Sequence, residues 1–288
     1  MQNADHELGL TGGESSLLDV LPVMAEPNAP FMQYSTCCAA DFFHPEFHRL
    51  CSELGVGFGY HRKVWEWVFI AHHLRTVSGP GTWGLGFGVG GEPMPAFLAK
   101  AGAAIVATDA PEEIGVASGW LAGDQLAQGM DSMPSPNMDR QLFERLVAFR
   151  RCDMNAISPK LRDFDFCWSS CALEHLGSLQ AGLDFVTNSL ATLKPGGLAV
   201  HTTEFNLSSD WETIEDGPCV LYRRRDIQAL VDELVIEGHE VAPFLVAPNT
   251  MVMDDFVDLP PYSHAPHLKL MYEGHVTTSI GLVVRKKR

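Results

Sequence analysis

A glycine-rich run and the acid that follows it are the first residues whose types and spacing suggest chemistry. Residues 84–91 (GLGFGVGG) lie between a predicted strand, 82–87, and a predicted helix, 93–101. Glycine at such a turn lets the backbone bend tightly and lets a ligand touch the main chain. Asp109 ends the next predicted strand, where a carboxylate can accept hydrogen bonds from both ribose hydroxyls of a nucleoside. The spacing therefore predicts a nucleoside-containing ligand.

The glycine loop fits two cofactor patterns. Gly86, Gly88 and Gly91 match the G-x-G-x-x-G fingerprint of dinucleotide sites, whereas Gly86, Gly88 and Gly90 match the looser loop that binds S-adenosylmethionine. Taken alone, these residues leave both cofactors open, and a glycine-rich turn without a ligand is the third reading. The order of elements around the loop has to decide between them.

Strands and helices alternate along most of the chain. Strands are predicted at 82–87, 103–108, 164–170, 198–203, 239–245, 267–272 and 277–285, and helices at 93–101, 112–128, 139–151, 179–193 and 225–237. Alternation of this kind implies a parallel sheet covered by helices on both faces. The last two strands are joined by a short link and form a predicted hairpin. We therefore expect an α/β, doubly wound, mostly parallel seven-stranded sheet with an antiparallel C-terminal strand.

The chain divides by pattern near Gly79. Residues 1–78 are predicted to form an N-terminal arm, with a short helix at 15–24, and a helical cap or lid rich in Phe, Trp and His. Residues 79–288 are predicted to form the Rossmann-like catalytic domain. The aromatic residues before Gly79 suggest either a lid over the site or the interface of a homodimer.

Two downstream segments and the closing hairpin resemble those of class I S-adenosylmethionine-dependent methyltransferases. Residues 164–175 (FDFCWSSCALEH) are similar to the fourth strand and following turn of that family, and residues 190–200 (LATLKPGGLAV) are similar to its helix–LKPGG–strand element. The resemblance covers roughly residues 81–284. It favours S-adenosyl-L-methionine as the cofactor, because dinucleotide-binding domains usually lack the reversed last strand.

Shorter segments are similar to one bacterial subgroup of that family. They are residues 60–67 (YHRKVWEW), the Glu-Pro pair at 92–93 that follows the loop, and residues 222–227 (YRRRDI). Members of the subgroup are associated with surface-polysaccharide or natural-product gene sets. The resemblance implies a small polar acceptor such as a sugar or a sugar-containing metabolite.

The resemblance also implies roles for individual residues at the two ends of the cofactor. Asp153 would accept a hydrogen bond from the adenine amine, and the backbone amide of Met154 would meet a ring nitrogen. Family members usually carry an acid that supports the methionine amino group where this chain has Gly84. Glu92 and the segment 60–63 are the candidates to compensate for it, with Arg62 suited to the methionine carboxylate.

Methyl transfer to a hydroxyl requires a proton acceptor near the acceptor oxygen. His175, which follows the fourth predicted strand, is the first candidate for this base because histidine titrates near neutrality, and Glu204 is the second. Further polar residues that should reach the carboxyl ends of the strands lie at Asp254, Asp255, Asp258 and His264. Oxygen is the expected methylation target, with nitrogen as the alternative. No spacing of acids or histidines predicts a metal site.

Two other functions share the glycine loop and Asp109. A nicotinamide-dependent oxidoreductase would use both, but it leaves the Lys194–Gly197 turn and the closing hairpin without an explanation. A non-catalytic binding protein with the methyltransferase fold is the other alternative, since the acid expected at Gly84 is missing.

Composition narrows the class of protein and of partner. The chain has 288 residues and a formal net charge of −16, so an acidic surface argues against nucleic acid as a partner. Its seven cysteines show no disulfide or zinc spacing, which is typical of reduced thiols in a cytoplasmic protein. Residues 1–19 have no apolar core of signal-peptide length, and no stretch is long and apolar enough to suggest a membrane span. The expected partner is a small-molecule acceptor.

Overall fold

The computed structural model describes residues 25–26, 28–117 and 126–288, with the backbone alone for residues 116 and 117. The predicted helix at 15–24 lies outside these ranges. Residues 118–125 of the predicted helix at 112–128 also lie outside them. The helices are α1 (Ala39–Phe42), α2 (Pro45–Leu54), α3 (Arg62–Leu74), α4 (Met94–Lys100), α5 (Glu112–Ala117), α6 (Arg140–Leu146), α7 (Leu179–Ser189), α8 (Arg224–Ile236) and α9 (Val252–Asp255). Across the described ranges, no helix has the length and apolar character needed to cross a bilayer.

The strands form one main sheet and one small ribbon. They are β1 (Trp83–Phe87), β2 (Ala104–Asp109), β3 (Val147–Arg151), β4 (Phe164–Ser170), β5 (Gly177–Ser178), β6 (Leu193–Asn206), β7 (Asp216–Gly217), β8 (Glu240–Val241), β9 (Lys269–Tyr272) and β10 (His275–Arg285). The main sheet has the order β3-β2-β1-β4-β6-β10-β8, with β9 also paired to β10, and β5 pairs with β7. Strands β3, β2, β1, β4 and β6 are parallel neighbours, whereas β10 runs antiparallel to β6. The predicted fold class, a mostly parallel sheet with a reversed C-terminal strand, is confirmed.

Among the elements that differ from their predictions, two lie at the edges of the main sheet. The helix predicted at 139–151 ends at Leu146, and the residues after it form β3, which pairs in parallel with β2. This strand lies at the edge of the sheet and its middle residues are largely exposed, so it lacks the apolar run that marks a buried parallel strand. The strand predicted at 239–245 pairs with β10 only at Glu240–Val241.

Helices cover both faces of the sheet, so the core lies in two layers. On one face, α3 packs against β4, and α2 and α4 join it in one apolar cluster that includes Phe166 and Trp168. On the other face, α7 and α8 pack against the alternate residues, among them Cys167. Alternation along β4 therefore supplies both layers, as expected for a strand buried on both sides.

Helix α3 lies directly against strands β4, β6 and β10. The helix comes close to the sheet at Gly281 of β10, where a Cβ atom would stand only 2.1 Å from the ring of Phe69. Glycine at this position therefore allows the helix to pack closely on the sheet. Helix α3, which precedes Gly79, thus packs on the main sheet, and the boundary between a cap segment and a catalytic domain stays a prediction.

Aromatic rings of β4 occupy the space beside the glycines of β1. A Cβ atom at Gly84 would lie 2.2 Å from the ring of Phe166 and 2.9 Å from Ile105, and one at Gly86 would lie 2.5 Å from the ring of Trp168. The acid that the sequence resemblance leads one to expect at the first of these positions has no room here. The absence of that acid is thus a consequence of how β4 packs on β1.

Substitution Gly84→Ala tests this packing. Because Phe166 and Ile105 are fully enclosed in the core, we expect the added methyl to lower the free energy of unfolding by about 1–3 kcal/mol. Urea unfolding followed by circular dichroism measures the change. Gly79→Ala is the matched control, since a Cβ atom there meets nothing within 4 Å. Equal effects of the two substitutions would contradict the packing argument.

Candidate functional site

A cavity of about 980 Å³ opens at the carboxyl ends of β1, β2 and β4. This is the edge at which open α/β sheets bind ligands, and the volume is near the upper end of the usual range, roughly 300–1000 Å³. The sequence-predicted site residues that line it are Arg62, Gly88, Gly90, Asp109, Asp153, Met154, His175 and Glu204. Gly86 does not line the cavity, because it lies on β1 beneath the Trp168 ring.

The side chain of Asp109 holds the backbone around one end of the cavity. Its Oδ2 accepts hydrogen bonds from the backbone N–H of Gly90 at 3.0 Å and of Ala127 at 2.8 Å, and its Oδ1 accepts one from Ala110 at 2.8 Å. Burial raises the pKa of this carboxyl. Since a carboxylate offers about four acceptor positions, three backbone bonds leave capacity for one ligand hydroxyl.

Two glycines of the loop adopt backbone angles that favour glycine. Gly88 has φ of 60° and Gly90 has φ of 46°, both in the left-handed region. The loop therefore turns within a few residues and presents main chain, rather than side chains, to the cavity. The bond from Gly90 N–H to Asp109 fixes the loop against the end of β2.

The segment after β3 forms the neighbouring wall. The backbone N–H of Cys152 donates to the carbonyl of Asp109 at 2.8 Å, which places the next residues beside the end of β2. Asp153 caps a short 3₁₀ turn, Met154–Ala156, by accepting from the N–H of Asn155 at 2.8 Å. Asp153 and Met154 both line the cavity, close to the glycine loop, as an adenine site would require.

Glu92 follows the glycine loop and is held by the indole of β4. The Trp168 Nε1–H donates to Glu92 Oε1 at 2.6 Å, and Glu92 is only 5% exposed. Burial raises the pKa of Glu92 to about 8, against lowering contributions from Trp168 and Lys63. Glu92 therefore supplies an acid at the loop, on the cavity wall, while Gly84 has no space for one.

The first turn of α3 brings two cations and a buried acid to the opposite wall. Lys63 Nζ donates to Glu66 Oε2 at 3.0 Å and to the Ser170 hydroxyl at 3.3 Å. Glu66 is fully buried and also accepts from the Ser279 hydroxyl at 2.5 Å. Burial opposes ionisation of Glu66, yet the adjacent Lys63 and Arg62 hold its pKa below the ordinary value.

Arg62 and Glu204, predicted for different roles, contact each other. The Arg62 Nη1 group forms an ion pair with Glu204 Oε1 and donates to the Ser279 hydroxyl at 3.1 Å. Burial raises the pKa of Glu204, and the guanidinium opposes this. A carboxylate already engaged by arginine is a weaker proton acceptor, because protonation would cost the ion pair. The Nε atom of Arg62 is buried without a hydrogen-bond partner in the described part of the protein.

His175 and Glu174 lie on the 3₁₀ turn Leu173–His175, after β4. His175 Nδ1 is 2.6 Å from the carbonyl of Pro218, and its Nε2 is 4.0 Å from Glu174 Oε1. Glu174 Oε2 accepts from Thr203, while its Oε1 is buried and has no hydrogen-bond partner among the described residues. Glu174 lines the cavity, and its buried Oε1 has hydrogen-bonding capacity that the described residues do not satisfy.

His267 and Asp258, in the segment before β9, form a pair that was not predicted from the sequence. His267 Nδ1 is 2.6 Å from Asp258 Oδ2, and both residues are buried. Asp258 also accepts from Ser263 and from the N–H of His264. Although burial would raise it, these bonds hold the pKa of Asp258 below its usual range. The available signal was the cluster of His264 and His267 after Asp258 in a proline-bearing loop.

One fully buried histidine lies outside the cavity lining. His201, on β6, is enclosed between the hydroxyls of Ser169 at 2.8 Å and Ser189 at 3.1 Å. Burial lowers its pKa to about 3, so it stays neutral in the core.

No protein-family model matches the chain, and no curated protein is similar to it. Among solved structures, an S-adenosylmethionine-dependent methyltransferase from Mesorhizobium loti is 14% identical, with 76% of this chain and 97% of that chain covered and a TM-score of 0.43. DhpI in complex with S-adenosylhomocysteine is 13% identical, with coverages of 75% and 81% and a TM-score of 0.43. The [4+2]-cyclase SpnF is 14% identical, with coverages of 76% and 80% and a TM-score of 0.45. Similarity at this level leaves the function of this chain to its own residues.

The buried acid Glu92 makes stability depend on pH. Its carboxyl has a pKa of about 8 in the folded protein and about 4.5 when exposed, so between these values the folded state alone keeps the proton. Stability then falls as pH rises, by up to about 1.4 kcal/mol per pH unit. Lys63, Asp109 and Glu66 are the charged groups that also act on Glu92.

We expect Glu92→Gln to remove this dependence, since glutamine can still accept from Trp168 but does not ionise. Urea unfolding of both proteins from about pH 5 to about pH 9 measures the difference. Relative to the native protein, the free energy of unfolding of the variant should rise by about 1 kcal/mol per pH unit up to about pH 8. Above that pH the difference should stay constant. A difference that stays constant with pH would show that the carboxyl is already ionised in the folded protein.

Proposed function

We propose that the protein transfers a methyl group from S-adenosylmethionine to a hydroxyl of a small polar acceptor, such as a sugar or sugar-containing metabolite. One observation carries this proposal. A single cavity joins the glycine loop, Asp109 and Asp153 at one end to a wall of acids and histidines at the other. A nucleoside at the first end and a polar acceptor at the second would be held within one cavity.

The nucleoside end offers carboxylate acceptors that support the assignment to adenosine. Asp109 keeps acceptor capacity for a ribose hydroxyl after its three backbone bonds. Asp153 lines the adjacent wall with one carboxylate oxygen engaged by the N–H of Asn155, which leaves the other for an exocyclic amine. Met154 is buried beside Gly88, where its main chain and thioether would meet the purine.

The amino-acid end of the cofactor is assigned to Glu92 and the first turn of α3. An ammonium group there would pair with Glu92, which Trp168 orients toward the loop. The methionine carboxylate would compete with Glu204 for Arg62, whose Nη1 is already paired. On this basis Arg62 remains a proposed cofactor-binding residue.

S-adenosylmethionine, when bound, supplies a methyl group that is electrophilic because it is attached to a sulfonium. The chain's own residues must then orient the acceptor oxygen in line and exclude water, which removes much of the barrier. They must also accept the hydroxyl proton. His175 and Glu204 were predicted for that step. Glu204 is paired with Arg62, and His175 donates from Nδ1 to the carbonyl of Pro218.

Titration calorimetry with S-adenosylmethionine and S-adenosylhomocysteine tests the proposal directly. We expect both to bind, and we expect Asp109→Asn to weaken binding by about 10–100-fold, because its amide cannot replace all the acceptor positions that fix the loop. Asp131→Asn is the matched control, since that side chain is fully exposed.

NAD and NADP are titrated in the same way. Binding of a nicotinamide dinucleotide with no binding of either methionine nucleoside would overturn the proposal in favour of the oxidoreductase alternative. Methyl transfer from radiolabelled cofactor to a panel of glycosides and amines then identifies the acceptor. Cofactor binding without turnover on any acceptor would favour the non-catalytic alternative.

A further inference from the structure

Three histidines form one wall of the cavity, which we call the histidine wall: His61, His264 and His267. The rings of His61 and His267 stack with centroids 4.6 Å apart, and the ring of His264 lies 4.7 Å from that of His267. Backbone pairing explains the stack. His267 N–H donates to Tyr60 and Arg62 N–H donates to His267, so residues 61 and 267 are paired side by side.

The proton on His267 is placed by Asp258. A carboxylate can only accept, so the Nδ1 of His267, at 2.6 Å from Asp258 Oδ2, must carry the hydrogen. In the neutral ring the Nε2 atom then has a free lone pair. Because the Asp258 oxygens are fixed by Ser263 and His264, this tautomer is set by the fold of the loop.

Helix α3 determines which nitrogen of His61 carries the hydrogen. The result is the opposite tautomer to that of His267. His61 is the N-cap of α3, and its Nδ1 accepts from the backbone N–H of Lys63 at 3.0 Å. A ring nitrogen that accepts carries no hydrogen, so the neutral His61 has its hydrogen on Nε2. The two stacked rings thus differ: His267 offers an acceptor and His61 offers a donor.

This difference argues against a metal ion on the wall. The three histidines do have ligand atoms within 4.8 Å of one another. Binding a metal through His61 Nε2 would move its hydrogen to Nδ1, against the N–H of Lys63, and α3 would lose its cap. Binding through Nδ1 would displace the same bond.

We propose that the histidine wall binds the acceptor as a vicinal diol, with His267 Nε2 taking the proton of the hydroxyl that is methylated and His61 Nε2–H donating to the neighbouring oxygen. The inference rests on the proposed function and names its substrate class. The two stacked rings, with centroids 4.6 Å apart, offer one acceptor and one donor. This pair suits two oxygens on adjacent carbons. An ammonium group would find no acceptor at His61.

The transfer step balances with these residues. The hydroxyl oxygen forms a bond to the methyl carbon while the carbon–sulfur bond breaks, and that electron pair returns to sulfur to give a neutral thioether. The hydroxyl proton moves to His267 Nε2. The resulting imidazolium is stabilised by Asp258, a positioning residue, and then releases its proton to water.

Both rings are suited to act in their neutral forms. Burial lowers the pKa of His61 to about 4, and burial also lowers the pKa of His267, against the raising effect of Asp258. The other charged or titratable groups acting on the two rings are Arg62, Glu66 and His264. Because the neutral form of His267 is the one that accepts a proton, turnover should rise with pH through its pKa and then level off.

Long-range ¹H–¹⁵N spectra of the histidine-labelled native protein test the tautomers without an acceptor. His61→Asn and His267→Gln serve to assign the signals, and asparagine keeps the helix cap. We expect hydrogen on Nδ1 of His267 and on Nε2 of His61, and no change of either on adding Zn²⁺. The reverse tautomer at either ring, or Zn²⁺ binding to both, would overturn the inference.

Turnover on methyl glycosides tests the catalytic roles. We expect glycosides with a vicinal diol to be methylated and their monodeoxy counterparts to be poor acceptors.

His267→Gln should lower kcat by about 10²–10⁴-fold and flatten the pH profile, with S-adenosylhomocysteine affinity unchanged. His61→Asn should raise KM by about 2–10-fold. Asp258→Asn should lower kcat and shift the pH profile.

Asp131→Asn is the control, because its fully exposed carboxylate lies outside the cavity lining. It should leave the pH profile unchanged. Loss of activity in His175→Gln with full activity in His267→Gln would overturn the inference and assign the base to His175. Failure of S-adenosylhomocysteine to bind would instead contradict the proposed function, while the tautomers would still decide whether the wall offers a donor beside an acceptor.

Discussion

The arrangement of the cavity depends on the buried carboxylate of Glu66. An isolated charge in that position would be strongly destabilising, so the fold must supply partners for it. Lys63 donates to it from the same helix, Ser170 from the end of β4 and Ser279 from β10. One side chain thereby ties the first turn of α3 to two strands of the sheet. Since His61 caps that turn, the same contacts also fix where its ring meets the loop that precedes β9.

This constraint also determines which charges remain for a ligand. Lys63 is engaged by Glu66 and Ser170, and Arg62 is engaged mainly by Glu204. Neither cation faces the cavity without a partner, so an anionic ligand would have to replace an existing ion pair. On the acidic side, Glu174 Oε1 is buried and, in the part of the chain that the structure describes, has no hydrogen-bond partner. The cavity is therefore better suited to a cationic cofactor and an uncharged polar acceptor than to a phosphorylated one.

Sequence reasoning was effective where the signal is local. The glycine loop with Asp109, the parallel strands and the closing hairpin all follow from patterns within a few tens of residues, and the structure has them. The edge strand Val147–Arg151 was missed because exposure removes its apolar pattern. The stacking of His61 on His267 could not be predicted, since it comes from a backbone bridge between residues far apart in the chain. The reason for Gly84 was likewise hidden, because it is the bulk of the neighbouring Phe166 ring.

The central claim is that one cavity holds an S-adenosyl nucleoside at the glycine loop and the acceptor at the histidine wall. A crystal structure with S-adenosylhomocysteine measures this most directly, through the position of the sulfur. The account predicts adenine beside Asp153, ribose at Asp109 and a sulfur within about 8 Å of His267 Nε2, which leaves room for one methyl group and one acceptor oxygen between them. A sulfur that faces away from the histidine wall, or a nucleoside bound elsewhere than the glycine loop, would contradict it.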